Sequence, residues 1–329
     1  MSTTESTYVI PEKRVVTTKP RFSDKVFRAV VTTGGLSSLI VLGLIFGFLL
    51  YQGFDIIKSQ GFDFITTSRW DITYDEAGNV ISSDFGLSAM LIGTILCSFL
   101  AVLIAVPVSV ATALYLTFYA PHWIKKTMVT IIDLMAAFPS ILFGIWAYFI
   151  LMPSGVYWAK LINHYLGFIP AFANKDRYFE GSPFIAALIL AIMIIPIITS
   201  ISREIFSQAP LDRIQAAYAL GATRWAMIKA VVIPHGRNGV IGGAMLGLGR
   251  AMGETVAVYT VLNLVFAVNW KILFGVGGNV ASLILTKFGE ASAYEIKGLM
   301  AAGLVLFVLT LIVNFASDQL VRRFGGKGK

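Results

Sequence analysis

Gln215-Ala216-Ala217-Tyr218-Ala219-Leu220-Gly221, followed after nine residues by Val231-Val232-Ile233-Pro234, is a polar-faced stretch between two long apolar runs. Within Pro210–Pro234, Leu211, Ile214, Tyr218, Trp225, Ile228 and Val232 recur at three-, four- and seven-residue steps. Asp212, Arg213, Arg224 and Lys229 supply the polar sides,. Ala216, Ala217 and Ala219 allow close approach, and Gly221 permits a tight turn between two short helices,. The spacing predicts a helix–turn–helix knob that touches another protein. An amphipathic helix lying on a bilayer surface has the same periodicity, and periodicity alone does not separate the two.

The runs around this segment set the class. The 329 residues are 57% hydrophobic and 13% charged, with a mean hydropathy of +0.77, far from a water-soluble domain. Six runs reach bilayer length, at about 29–51, 87–117, 127–151, 183–202, 239–266 and 298–320,. Backbone amides in lipid must bond within their own segment, so the runs predict helices. The expected fold is all-α, a polytopic membrane helical bundle with six transmembrane helices. No small-x-small cleavage pattern follows the first run at Gln52-Gly53-Phe54, so that run is expected as a retained helix and not a signal peptide,.

With six crossings both termini share one side. That side collects 17 Lys and Arg against 8 on the other, with Arg250 alone inside a run. The bias predicts cytoplasmic termini, and it accounts for the net charge of +8 without any nucleic-acid partner. Residues 1–26 read as a poorly ordered cytoplasmic tail, and 27–329 as the transmembrane domain with a cytoplasmic coupling segment at 204–237,. The external stretches 52–86 and 152–182 carry Trp70, Tyr74, Tyr157, Trp158, Tyr165 and Tyr178, which suits an interfacial aromatic belt,. Pro107, Pro139 and Pro196 are expected to bend their helices,. Cys97, the one cysteine, reads as a small packing residue,.

No phosphate-binding G-x-x-x-x-G-K-[ST] loop occurs, and His122, His164 and His235 are too scattered for a metal site,. No nucleophile–base constellation is legible. The chain reads as a non-enzyme with no metal or cofactor of its own, so uphill transport needs a partner or an ion gradient.

Charge inside the membrane is the remaining signal. Gly239, Gly243 and Gly247 lie four apart and give one smooth face for helix packing,. Arg250 and Glu254 are also four apart, and on a continuous helix they share a face,. A mid-membrane arginine costs roughly 2.5–3.5 kcal/mol, so it points to the bundle interior. Either the two residues form a structural pair, or Arg250 is a cation in the path of an anionic solute, a role its planar fork suits. Asp133 is a second acid placed within the membrane, either reaching toward the interface or pairing with Arg250.

Two motifs resemble known families. Gln215-Ala216-Ala217, Gly221 and Val231-Val232-Ile233-Pro234 are similar to the Glu-Ala-Ala, Gly and Ile-x-Leu-Pro pattern of ABC-importer permeases, with Gln for Glu, Val for Ile and Ile for Leu. Gly247-Leu248-Gly249-Arg250-Ala251-Met252-Gly253-Glu254-Thr255 resembles the signature of phosphate-importer permeases of the PstC type. Ala136-Ala137-Phe138-Pro139-Ser140 and Ala191-Ile192-Met193-Ile194-Ile195-Pro196 agree with it. The resemblance implies a type I ABC-importer permease fold and passage of inorganic phosphate past Arg250 and Glu254. It implies a sister permease, an ATPase dimer that itself holds ATP and magnesium and couples to Gln215, Ala216, Ala217, Tyr218, Gly221 and Pro234, and an external phosphate-binding protein. Permeases for sulfate or molybdate, and gradient-driven anion transporters, are the competing readings.

Overall fold

A computed structural model describes residues 21–76 and 80–325. The chain divides into two units, residues 1–48 and 49–329. In the first, the described chain is the start of helix α1 (Phe22–Gln60). Leu39, Ile40, Leu44 and Phe48 are all exposed on it, and an apolar helix that buries little of itself needs lipid around it,. The expected tail lies, up to residue 20, outside the described residues; α1 begins at Phe22.

The second unit is built on α3 (Ser88–Leu114) and α7 (Pro183–Ser207). Cys97, Ala101 and Ala105 are buried at four-residue steps on α3. They face Ala187, Leu190, Ala191, Ile194 and Ile198 in one cluster. Small side chains on one helix and branched ones on the other let the two backbones approach closely. Pro107 and Pro196 lie inside these helices, and Ser109 Oγ donates to the Ile195 carbonyl across them at 3.2 Å.

Around this pair run α4 (His122–Ala137), α5 (Ser140–Trp146), α6 (Met152–Leu166), α8 (Leu211–Ala219), α9 (Arg224–Met227), α10 (Ile233–Gly253), α11 (Val256–Val261), α12 (Val280–Phe288) and α13 (Ala293–Gly325). Among the described residues, five helices are long and apolar enough to cross a membrane: Phe22–Gln60, Ser88–Tyr119, Ser140–Leu166, Pro183–Ser207 and Ala293–Ser317.

Two of the six expected runs take a different form. The run at 127–151 is not one helix, because the chain turns extended at Phe138 and Pro139. Proline disfavours the α conformation in the residue before it, and here Phe138 is extended, so α4 ends there and the bilayer-length helix is Ser140–Leu166. The run at 239–266 is cut at Glu254, whose ψ is 125°, so it is divided between α10 and α11.

The stretch 52–86 is also more than a loop. After α2 (Asp63–Thr66), strands β1 (Trp70–Tyr74) and β2 (Val80–Phe85) pair antiparallel with a bulge at Thr73/Tyr74. Trp70 does not join an aromatic belt. Its ring lies 4.7 Å from that of Phe85, and Nε1 donates to Glu295 Oε1 at 2.8 Å, anchoring the hairpin to α13. Tyr157, Trp158 and Tyr165 do stay exposed on α6.

Candidate functional site

Helix α10 brings Arg250 into the bundle because its glycines let it lie against α7. A Cβ at Gly247 meets Ile198 Cδ1 at 2.9 Å and one at Gly243 meets Ile201 Cγ2 at 3.2 Å, while one at Gly239 runs into the Ile205 side chain. Arg250 sits near the end of this helix, partly buried. Its Nε is fully buried and has no hydrogen-bond partner, and among the described residues Arg250 belongs to no ion pair.

The helix stops before Glu254 shares the face of Arg250, so the pairing that a continuous helix implies is not made. Glu254 is 9% exposed. Its Oε1 accepts only a long bond from the Ala257 amide, at 3.5 Å, at the start of α11. The break itself is pinned from α12, where Asn279 Nδ2 donates to the Glu254 carbonyl at 2.7 Å. Asn279 also caps α12 in a capping box with Ser282. Thr94 Oγ1 of α3 accepts from the Val280 amide at 3.1 Å. Beside the break lies an apolar groove of about 440 Å³, lined by Gly253, Thr255, Ala281, Ile284 and Phe288 among others. The site is a partly buried cation whose buried Nε is an open donor, and a buried carboxylate, one on either side of a helix break held by an asparagine.

Asp133 lies apart from this arrangement. It is exposed on α4, a helix with no buried residue, and has no hydrogen-bond or ion-pair partner among the described residues. Neither acid neutralises Arg250 in this structure. Among the described residues no cluster of His, Cys, Asp and Glu is placed to hold a metal ion.

The stretch 210–234 forms a knob of two short helices. Gly221 makes the turn at φ +78°, a left-handed conformation that other residues adopt only with strain,. The Thr223 side chain then caps α9, accepting from the Ala226 amide. Ile228 and Val232 are buried against Leu114 and Phe206, with Ile214 and Ala217 packed on that cluster. Arg224 clamps the knob to the π turn Tyr115–Tyr119 that continues α3, donating to the Phe118 carbonyl at 3.1 Å and lying 5.3 Å over the Tyr119 ring.

The outer surface carries Gln215, Ala216, Tyr218, Leu220, Gly221 and Trp225, with Leu220 88% exposed. Pro234 is exposed where α10 begins. Ala217 alone of the expected coupling residues faces inward. From Arg224 through the π turn Ile228–Val232 to Gly253 the chain stays helical. Knob and Arg250 are therefore two ends of one rod about 40 Å long at 1.5 Å per residue.

Asn279 and Thr94 were not singled out from the sequence. The Asn279-x-x-Ser282 spacing ahead of an apolar run is a helix-start signal, but nothing local points across 25 residues to Glu254,.

A membrane bundle that keeps an unpaired cation at a broken helix and projects a two-helix knob has the parts of a permease worked from outside itself. The chain belongs to the family of binding-protein-dependent transport system inner membrane components, which it matches over residues 105–326. It is 38% identical over 310 residues to the phosphate transport system permease protein PstC 2 of Mycobacterium tuberculosis, an alignment that covers 93% of each chain. It is 39% identical over 255 residues to the phosphate transport system permease protein PstC of Pasteurella multocida, covering 76% of this chain and 78% of that one. In fold it is similar to a chain of a bacterial alginate ABC transporter crystallised with an alginate pentasaccharide-bound periplasmic protein. The TM-score is 0.58 at 16% identity, over 94% of this chain and 100% of that chain.

Proposed function

We propose that this subunit passes inorganic phosphate across the bacterial inner membrane, from an external binding protein to the cytoplasm, with both termini cytoplasmic. The observation that carries the reading is the buried, unpartnered Nε of Arg250 at the helix break. A desolvated guanidinium with an open donor costs free energy until an acceptor arrives. A phosphate oxygen is such an acceptor, and the two relatives described above are phosphate transport permeases. A single cationic stop suits transport, because a fuller cage would trap the anion.

The force enters at the knob. An ATPase dimer, charged with ATP and magnesium, docks on Gln215, Ala216, Tyr218 and Gly221, and its closure pushes the knob. The rod from Arg224 to Gly253 carries that displacement to Arg250, while the Arg224 clamp carries it to α3. A sister permease completes the path, and Glu254, the carboxylate at the break, repels the anion and favours its release.

Reconstitution of the subunit with its co-purified partners tests this. Radiolabelled phosphate uptake should require both ATP inside the vesicle and the external binding protein, and should resist excess sulfate and molybdate. Uptake by this chain alone without ATP would remove the ATPase from the scheme; displacement by sulfate or molybdate would change the cargo.

A further inference from the structure

A second cationic site lies far along the chain from Arg250. A cavity of about 480 Å³ opens at the end of α6, lined by Lys160, Asn163, His164, Arg177 and Phe179. That volume is the size of a small-ligand site. Buried Phe179 contributes an apolar wall, and the other four residues are donors or cations.

The chain has built this cavity at some cost. Arg177 is the only non-glycine residue with positive φ among the described residues, at 54°. A strained backbone of this kind persists only where its surroundings hold it, and it often marks function. Asn174 holds the loop: its amide donates to Asn163 Oδ1 at 2.9 Å, and its Nδ2 donates to the carbonyls of Tyr178 and Leu273 at 2.8 and 2.9 Å.

The charges over the cavity are unbalanced. Asp176 and Glu180 lie on the same loop, yet the side chains of Lys160 and Arg177 make neither an ion pair nor a hydrogen bond with any described residue. Asn163 Oδ1 is occupied by Asn174, which leaves its amide hydrogens as further donors. Exposed Tyr157, Trp158, Tyr165 and Phe168 surround this end of α6, as aromatic residues do at the headgroup level of a bilayer.

We propose that Lys160, Asn163, His164 and Arg177 form an anion site for a phosphate group, carried by the headgroup of an anionic phospholipid or present as free phosphate. Arginine's fork and the lysine point charge are complementary to phosphate oxygens.

The intact transporter complex, wild type and Lys160→Gln/Arg177→Asn, tests it. Asparagine tolerates the left-handed backbone at 177, and Lys160→Gln alone, on an exposed helical surface, serves if the pair misfolds. In phosphatidylcholine–phosphatidylglycerol nanodiscs, mass spectrometry after detergent extraction counts retained lipid. In phosphatidylcholine alone, radiolabelled phosphate counts bound anion. Retained phosphatidylglycerol that the variant loses identifies the lipid headgroup; phosphate binding that the variant loses identifies the free ion. Equal retention and equal binding in wild type and variant would overturn the proposal. Both readouts are of binding, so they stand whether or not phosphate is the transported solute.

Discussion

The Nε of Arg250 is a buried donor that no described residue accepts, and its neighbourhood is arranged to keep it so. Had α10 continued, Glu254 would have come onto the same face and neutralised the cation; the break at Glu254 prevents this. Asn279 is the residue that holds the break. Asn279→Ala should lose the α12 cap, about 0.5–2 kcal/mol, and strand the Glu254 carbonyl, about 1–3 kcal/mol. Asn279→Ser should restore the cap contribution only. Thermal melting of the purified complex orders the three as wild type, serine, alanine; equal melting of serine and wild type would deny the Asn279–Glu254 bond any weight. The charge at 250 was legible in the sequence, since an arginine in a glycine-rich apolar run needs a reason. Its solitude was not, because helical periodicity put Glu254 beside it and only the asparagine 25 residues on decides otherwise.

Between elements, the contact of α10 with α7 is where glycine is indispensable. Gly239→Ala drives a methyl into Ile205 and should cost about 1–3 kcal/mol in overpacking,. Gly242→Ala, three residues on, meets nothing within 4 Å and should be neutral or gain about 0.5–1 kcal/mol of helix stability,. Melting of the two variants separates a packing face from a merely glycine-rich helix; equal losses would deny the face. The four-residue glycine spacing made this contact readable in advance. At the knob, Ala216→Asp and Tyr218→Asp place a charge on an exposed docking surface. Both should leave the subunit in the membrane with its sister while abolishing uptake and uptake-linked ATP hydrolysis. Ala217→Asp should instead lower the yield of folded protein, because Ala217 packs on the Ile228 cluster. Full uptake by either surface variant at normal expression would remove the knob from coupling. Periodicity marked the segment as amphipathic but did not separate a knob from a surface helix, because its inner face packs on Leu114 of α3 as well as on the neighbouring Phe206 of α7.

At the scale of the molecule, hydropathy located the apolar runs well and their interruptions poorly. Windowed apolarity is blind to a Phe138-Pro139 kink and to a helix end imposed by a partner such as Asn279. The hairpin at 70–85 was hidden for the same reason: its anchors, Phe266 and Glu295, come from the far end of the chain. The orientation proposed from the charge bias has a direct test. Native Cys97 is buried, 1% exposed, and should not react with maleimides. Lys175→Cys, exposed, should label in intact spheroplasts, and Arg213→Cys, also exposed, only after permeabilisation. The reverse pattern would invert the topology.

Phosphate uptake by proteoliposomes carrying the complex with Arg250→Ala and Arg250→Lys, alongside the yield of each complex, bears most directly on the role of the buried guanidinium. Alanine should abolish uptake with the complex intact. Lysine keeps the charge but loses the fork, and at about 1.5–3 kcal/mol for a charged hydrogen bond uptake should fall roughly 10- to 100-fold. Wild-type uptake by the alanine variant would contradict the assignment; loss of the complex would make Arg250 a structural residue.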